Sequence, residues 1–571
     1  MIRKHLLAVA TIAALTLSAS ASAAKFEMIN RDAPGIGLND PTPVAPVGGN
    51  PGTTRGAQAQ AVYRYAMALW GNTLESDVPI IVDASFAPLN CTATSGTLAQ
   101  AGANWIFYLT SAGQTRIYGS ALADSLIGFD LHTYLGLDPN DRADIVSQFN
   151  GRLGQPGCLE GMGWYFGLDG NTPAGKVNFL NVVMHELAHG LGAQGFLNKS
   201  TGSLYAGYSD PYTQRAYDNV LGLRFEQMTA AQRATAMRTP GRTVWVGPQV
   251  NATAALILNR RNALQASAPG ALAGKYYDYS GALFGPLPLP ANFPDRPLVV
   301  VDDGIAPTSD GCSANGASTG PTDTITYVNA AAVAGNIAVI DRGTCSFEYK
   351  VKIAQDNGAV AVIVVNNAAG TIDMGAASPP TNAVTIPSIM VSQADGAELK
   401  ANIAGARAGL GLSPFLAGAD QAGRVRLYSP TTVAGGSTFS HFDTVLVPDA
   451  LMEPFDSPSV RANVSTDLTP SLFADIGWRL KPAGSTTLSG AGVQCSVTGT
   501  GSGEGGLMLG GNLQAASDVC GTTATSREGY YFCMKEQSDR LVQGGLLTEK
   551  AAMKFMACAR RISERFRPGS Y

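Results

Sequence analysis

Two histidines spaced one helical turn apart constrain this 571-residue chain more than any other feature. Residues 182–192 read VVMHELAHGLG, so His185 and His189 enclose a segment that begins with Glu186. On an α-helix, residues i and i+4 lie on one face, where their two imidazoles can bind a single zinc ion. Glu186 is then aimed at the open side of that ion. The pattern is specific, because the whole chain holds only 5 histidines.

A zinc ion that keeps one position open for water needs a third protein ligand. In the pattern HExxHxxGxxH, that ligand is a histidine three residues after the glycine. Gly192 is present in this chain, but the position three further on is Gly195. The glycines at 190 and 192 still allow the helix to end in a left-handed turn. The third ligand must therefore come from elsewhere in the chain.

Three residues are candidates for this third ligand. His132 lies upstream of the helix, and Glu226 lies 37 positions after His189 (226 − 189), where a gluzincin has its glutamate. The third candidate, His441, lies far downstream. The pattern favours His441, because neutral imidazole is a good zinc ligand and the chain approaches it through a glycine-rich run. Met452, in a possible tight turn, follows soon after.

Several motifs resemble the leishmanolysin-like metzincins, including exported bacterial members of that family. They are HELAHGLG at 185–192, SHFD at 440–443, LMEP at 451–454, WYFGLDG at 164–170 and DLTPSLFADIGW at 467–478. In that family, a long insertion separates the third histidine from the helix. This chain departs from the pattern in the size of that gap, which is 252 positions (441 − 189).

The resemblance implies a role for each candidate residue. The ligands of one catalytic zinc ion would be His185, His189 and His441, and Met452 would be the Met-turn residue. Zinc held in this way lowers the pKa of its water toward neutrality. Glu186 would take the proton from that water during attack on a peptide carbonyl and pass it to the leaving amine. Asp443 either orients a ligand imidazole or caps the following turn, and the sequence leaves both open.

The long gap contains a second pattern of elements. Short apolar runs at 298–301, 337–340 and 359–365, with a helix at 348–356, predict an α/β unit. The run 337–367 closely resembles the protease-associated (PA) domain, a non-catalytic module of exported hydrolases. This resemblance implies that Cys312 and Cys345 form an internal disulfide. A self-folding insertion is also physically reasonable, since more than two hundred structureless residues inside a compact domain would be implausible.

The N-terminus and the cysteines indicate export. Basic residues at 3–5, an apolar run at 6–17 and Ala-Ser-Ala at 21–23 predict a signal peptide. The apolar run is too short to span a bilayer, and no later segment is apolar enough to do so. Disulfides are therefore permitted, and we expect pairing within three local groups. These groups are Cys91 with Cys158, Cys312 with Cys345, and the four residues Cys495, Cys520, Cys533 and Cys558, which allow three connectivities.

The expected architecture is an α+β metzincin-like catalytic domain, interrupted by an α/β PA domain and followed by a small, partly helical, cysteine-containing region. The expected boundaries are 1–23 for the signal peptide, 24–266 and 419–480 for the catalytic domain, 267–418 for the PA domain, 481–511 for a Gly/Ser-rich linker and 512–571 for the last region.

The sequence predicts a secreted zinc endopeptidase that acts on proteins or peptides. The alternative is a catalytically silent binding protein on the same scaffold, with the PA domain as its interaction surface. The net charge of −4 gives no reason to expect nucleic acid as a partner.

Overall fold

The computed structural model describes residues 4–11, 23–313, 320–368, 370–381, 383–463, 465–481, 485–498, 509–543 and 547–568. The chain is a mixed α/β protein that divides into two compact units. The first unit contains Met1–Asn259 and Ala417–Tyr571, and the second is the continuous segment Arg260–Leu416. Within the described ranges, no helix is both long enough and apolar enough to cross a membrane.

The first unit begins with a mixture of helices and short strands. Its α-helices up to residue 259 are α1 (Arg55–Gly71), α2 (Ser120–Ile127), α3 (Leu131–Tyr134), α4 (Phe179–Gly190), α5 (Pro211–Arg215), α6 (Ala230–Ala236) and α7 (Pro248–Ile257). Its strands there are β1 (Lys4–Thr11), β2 (Phe26–Asn30), β3 (Leu74–Glu75), β4 (Ile80–Ala87), β5 (Ala99–Ala103), β6 (Trp105–Ser111), β7 (Gln114–Gly119), β8 (Ile145–Asn150), β9 (Trp164–Tyr165), β10 (Val177–Asn178), β11 (Ala216–Asp218), β12 (Leu223–Arg224) and β13 (Thr243–Trp245).

Helix α4 packs on a four-stranded sheet in the order β2-β4-β8-β5, in which only β5 runs antiparallel to its neighbour. A Cβ atom at Gly190 would lie 2.3 Å from the side chain of Ile145 on β8. Only glycine therefore allows this close approach of the helix to the sheet. On its other side, α4 contacts α1, whose Trp70 indole donates a hydrogen bond to the carbonyl of Met184 at 3.1 Å.

Both ends of α4 are fixed by specific contacts. The Asn178 side chain accepts hydrogen bonds from the N–H groups of Leu180 and Asn181, as an N-cap residue does. The helix ends at Gly190, and Gly192 takes a left-handed φ of 113°. This confirms the predicted helix end. The indole of Trp478 then donates to the free Leu191 carbonyl at 2.8 Å.

The predicted signal segment is only partly described. Residues of β1 pair in parallel with β6 in a three-stranded sheet of order β1-β6-β7. Residues 12–22 lie outside the described ranges. The signal peptide therefore stays a prediction.

The second unit is an α/β unit built on one eight-stranded sheet. Its helices are α8 (Ala330–Val333), α9 (Phe347–Asp356) and α10 (Gln393–Ala401), and its strands are β14 (Arg260–Ala268), β15 (Tyr276–Tyr277), β16 (Ser280–Gly281), β17 (Arg296–Val300), β18 (Ile337–Asp341), β19 (Ala361–Val365), β20 (Ser388–Val391) and β21 (Arg407–Leu416). The sheet has the order β15-β14-β21-β17-β18-β19-β20-β16, in which strands β17 to β20 pair in sequence order and in parallel. The predicted helix at 348–356 corresponds to α9.

The ends of the second unit lie side by side. Arg260 on β14 pairs with Leu416 on β21 in an antiparallel ladder. The prediction placed this unit at 267–418, whereas β14 adds seven residues (267 − 260) before that boundary. Within the unit, Cys312 and Cys345 form a disulfide.

After residue 416 the chain returns to the first unit. The elements there are α11 (Thr469–Ile476), β22 (Arg479–Leu480), β23 (Ser485–Gly490), β24 (Val493–Thr498), α12 (Leu509–Thr523), α13 (Arg527–Gln543) and α14 (Glu549–Arg565). Helix α14 begins after Thr548, whose hydroxyl accepts a hydrogen bond from the Ala551 N–H, as an N-cap residue does. Three disulfides belong to the first unit, and they join Cys91 to Cys158, Cys495 to Cys558 and Cys520 to Cys533.

The central part of the predicted Gly/Ser-rich linker at 481–511 contains regular structure. Strands β23 and β24 form an antiparallel hairpin there. Leu488 and Val497 are buried in one core with Cys520 and Phe555. The Gly/Ser-rich composition therefore concealed a two-residue alternation of buried side chains, which is the period of a strand. Residues 482–484 and 499–508 lie outside the described ranges.

Candidate metal centre

Three histidines of the first unit meet at one point. The Nε2 atoms of His185, His189 and His441 lie 3.1 Å from one another in all three pairs. Two of the side chains project from α4, and the third comes from the loop that precedes α11. Among the described residues, this is the one group of His, Cys, Asp or Glu side chains that could hold a metal ion.

The other ring nitrogen of each histidine contacts a main-chain carbonyl. Nδ1 of His185 lies 2.7 Å from the Leu451 oxygen, and Nδ1 of His189 lies 2.9 Å from the Ala193 oxygen. Nδ1 of His441 lies 2.7 Å from the oxygen of Ser437, four residues earlier. A carbonyl oxygen can only accept a hydrogen bond, so each Nδ1 carries the proton. All three Nε2 atoms therefore direct a lone pair at the same small space.

Burial keeps these rings neutral. It lowers the pKa of His185 to about 4, and it lowers the pKa of His189 and His441 well below the usual value. The neighbouring histidines lower the pKa of His189 and His441 further, and so does the positive charge of Lys199. Neutral imidazole is the form that binds a metal ion.

The residues fit a zinc ion. Three lone pairs at 3.1 Å repel one another unless a cation lies among them. Nitrogens at that separation can all lie about 2.0–2.1 Å from one ion, which is the usual zinc–nitrogen distance. The donor set is complete for a catalytic zinc site, because such sites use three protein ligands and keep one position open.

Glu186 lies on α4 directly after the first histidine and is buried, with 6% of its surface exposed. Burial raises its pKa to about 8, and a hydrogen bond from the Ala101 N–H opposes that rise. Its Oε2 atom has no hydrogen-bond partner within the described structure. A nearby divalent cation would lower this pKa, since it stabilises the carboxylate. The buried carboxyl group therefore also fits an ion at the histidine cluster.

The loop around His441 is held by buried aromatic residues. Phe439 takes a φ of 73°, which residues other than glycine rarely adopt. Its ring stacks on Phe225 at 4.9 Å, and its carbonyl accepts a hydrogen bond from the buried Tyr212 hydroxyl at 2.9 Å. The His441 carbonyl accepts from the Tyr428 N–H. Packing thus holds a strained backbone two residues before the third histidine.

Met452 is buried, with 1% of its surface exposed, in a turn closed by a hydrogen bond from the Glu453 N–H to the Ala450 carbonyl. The Met452 carbonyl accepts from the Phe442 N–H at 2.9 Å, beside His441. The turn therefore lies next to two of the three histidines. It contacts the residue after His441 through the Met452 carbonyl and His185 through the Leu451 carbonyl.

Two of the three candidates for the third ligand lie outside the cluster. His132 is buried on α3, with its ring 5.3 Å from that of Trp105, and Glu226 is exposed on a short 3₁₀ helix. Asp443 does not contact an Nδ1 atom of the cluster, because all three Nδ1 atoms bind carbonyls. Burial raises the pKa of Asp443, and the charge of Arg426 and hydrogen bonds with Thr444 oppose that rise.

The three supporting carbonyls could not be predicted from the sequence. Every residue has a carbonyl, so Leu451, Ala193 and Ser437 carry no chemical signal of this role. The spacing offers a partial clue for two of them, because Ala193 and Ser437 each lie four positions from the histidine they contact. Leu451 lies 266 positions from His185 and offers none.

Comparison with known proteins identifies one part of the chain. Residues 295–399 match the PA domain family, so the second unit contains a PA domain, as predicted. No curated protein matches the chain.

Among solved structures, the chain is similar to a zinc aminopeptidase from Bacillus subtilis, with 19% identity and a TM-score of 0.18 over 38% of this chain and 44% of that one. It is also similar to an aminopeptidase from Aneurinibacillus sp. strain AM-1, with 18% identity and a TM-score of 0.18 over 36% of this chain and 41% of that one. The chain thus spans less than half the length of either protein.

Proposed function

We propose that this protein is a secreted zinc endopeptidase of the leishmanolysin-like metzincin type, with a PA domain inserted before its third metal ligand. The observation that carries the proposal is the convergence of three Nε2 atoms at 3.1 Å, with every Nδ1 bound to a carbonyl. Glu186 follows His185 directly on α4 and is buried. The metzincin assignment is further supported by the HExxH motif on α4 and by the buried Met452 turn.

The histidines and Glu186 have separate chemical roles in this proposal. One zinc ion, bound by His185, His189 and His441, would supply Lewis acidity toward the peptide carbonyl and toward water. The carbonyls at Nδ1 keep each ring in the tautomer and orientation that binding requires. The Glu186 carboxylate accepts a proton from the attacking water at Oε2, the atom that has no other partner in the described structure. It then returns that proton to the leaving amine.

Secretion is supported by the cysteines. Four disulfides join all eight cysteines. Disulfides of this number persist in oxidising compartments and are rare in the cytosol. The predicted signal peptide at 1–23 agrees with an extracellular or periplasmic location.

Two substrates test the proposal and its endopeptidase character. The first is an internally quenched peptide with both ends blocked, and the second is an amino acid anilide with a free amine. We expect cleavage of the first, loss of cleavage with a chelator and recovery when zinc is added. Cleavage of the anilide alone would make the protein an exopeptidase. Absence of cleavage in a zinc-loaded sample would favour a silent binding protein whose PA domain is the interaction surface.

A further inference from the structure

The three histidines of the cluster are supported in two different ways. The carbonyls that hold His189 and His441 belong to turns next to the histidines themselves. The Ala193 N–H binds the Ala188 carbonyl, and the Ser437 N–H binds the Ala434 carbonyl. These two supports are closed by local main-chain hydrogen bonds. The support of His185 comes from residue 451, which is 266 positions away.

One carboxylate fixes the backbone of residue 451. The Leu451 N–H donates to Oδ2 of Asp467 at 2.6 Å, while the Leu451 carbonyl accepts from His185 at 2.7 Å. The second oxygen, Oδ1, accepts from the Leu468 N–H at 2.5 Å, directly before α11. Asp467 takes a φ of 43°, a strained conformation for a residue with a side chain. Its carboxylate therefore joins the turn that contains Leu451 to the start of α11.

Helix α11 is itself fixed to the helix that carries His185. The Phe473 ring packs against Trp70 of α1 at 5.1 Å, and the Trp70 indole binds the Met184 carbonyl on α4. After α11, the Trp478 indole donates to the Leu191 carbonyl at the end of α4. Contacts thus run from α4 to α11, from α11 through Asp467 to Leu451, and from Leu451 back to His185.

We infer that Asp467 is a positioning residue for the candidate metal centre: its carboxylate holds Leu451 where the Leu451 carbonyl orients the His185 imidazole. The inference rests on the proposed zinc site. Groups that orient metal ligands from outside the coordination sphere change metal affinity about 10–100-fold when they are removed. Asp467 acts through the backbone of another residue, so we expect a loss near the lower end of that range.

Asp475 offers a matched control. It is a buried aspartate on α11, which begins just after Asp467, and its carboxylate also holds main-chain N–H groups, those of Gln249 and Val250 at the start of α7. It further accepts from the Trp245 indole at 2.9 Å. None of these contacts reaches a carbonyl that binds a cluster histidine. Asp475→Ala therefore reports the cost of losing a structural carboxylate from this part of the fold.

The test is the zinc dissociation constant of the full chain, measured by competition with a fluorescent chelator, together with the visible absorption of the cobalt(II)-loaded protein. We expect Asp467→Ala to weaken zinc binding about tenfold and to alter the cobalt spectrum. Asp467→Asn keeps only one of the two acceptor oxygens and places an NH2 donor opposite the other N–H group, so its zinc affinity should lie between those of the wild type and Asp467→Ala. Asp475→Ala should lower the unfolding temperature without changing either readout. Should Asp467→Ala fail to fold, Asp467→Ser, whose hydroxyl is one bond shorter than the carboxylate, must show the same loss.

The outcomes separate this inference from the proposed function. If Asp467→Ala binds zinc as tightly as Asp475→Ala does, with the wild-type cobalt spectrum, Asp467 does not position His185 and the zinc site stands. If the wild-type chain does not bind zinc, the proposed function and the role of Asp467 are both overturned.

Discussion

The two compact units place their important residues differently along the chain. In the second unit, strands β17 to β20 each pair with the next strand in sequence, and the whole unit is one continuous segment. In the first unit, the histidine cluster joins side chains that are 252 positions apart. A unit whose central strands pair in sequence order can be recognised from a short motif, whereas a centre built from distant segments depends on the fold around it.

The ends of the second unit show how a continuous segment can interrupt the first unit between its cluster histidines. The second unit begins and ends in paired strands, with Arg260 opposite Leu416. In the first unit, the Ala417 N–H binds the Asn259 carbonyl at 2.8 Å. The chain therefore leaves and re-enters the first unit at nearly the same point. An insertion with adjacent ends disturbs its host little, even though it lies between two ligands of one proposed ion.

The largest effect is expected from replacing His441, the cluster histidine that lies farthest from the other two in the sequence. His441→Ala should abolish both zinc retention and peptidase activity, because the ion loses its third ligand. His132→Ala and Glu226→Ala should retain both, since neither residue belongs to the cluster. Zinc content after dialysis against a weak chelator is the measurement. Metal loss in Glu226→Ala together with retention in His441→Ala would assign the site to the gluzincin type.

The second-largest effect is expected from replacing Glu186, which should lower the rate of hydrolysis without changing zinc binding. Glu186→Gln should lower peptide hydrolysis about 10²–10⁴-fold, the usual contribution of a general base. Zinc content and unfolding temperature should remain those of the wild type, because the amide has nearly the shape of the carboxyl group. Turnover close to wild type in a pure zinc-loaded sample would remove Glu186 from the mechanism.

A smaller effect is expected from removing the second unit. Residues 260–416 are deleted, and Asn259 is joined to Ala417 through two glycines. Because these residues already share a hydrogen bond, the first unit should fold, bind zinc and cleave small peptides. Zinc titration and the quenched-peptide assay are the measurements. A deleted protein that folds yet binds no zinc would show that the difference in connectivity does not make the two units independent.

The smallest effect concerns the stability of the second unit alone. Burial lowers the pKa of Lys350 to about 8 from 10.5, although nearby aspartates oppose the shift. Between these pH values, the unfolded chain binds more protons than the folded chain, so the free energy of unfolding should rise with pH. Lys350→Met should flatten that rise. Urea unfolding of residues 260–416, followed by far-ultraviolet circular dichroism at several pH values, measures it. Equal slopes in the two proteins would show that Lys350 does not cause the rise.

Local sequence patterns predicted local structure well. The spacing of His185 and His189 predicted α4, and the glycine at 192 predicted where the helix ends. These predictions succeed because helix spacing and left-handed turns are decided within a few residues. The hairpin at 485–498 escaped prediction, because its glycines and serines concealed the alternation of buried side chains.

By itself, the sequence determined the chemical inventory: two imidazoles on one helix face, a carboxyl group between them, a distant third histidine and a PA segment that folds from neighbouring strands. The tertiary structure alone decided which distant residue completes the cluster, which carbonyls hold the rings and how the last four cysteines pair. The physical reason is the long separation in sequence between the residues that make these contacts. Main-chain carbonyls are common to every residue, and only packing over hundreds of positions brings the Leu451 oxygen to His185 and the Asp467 carboxylate to Leu451.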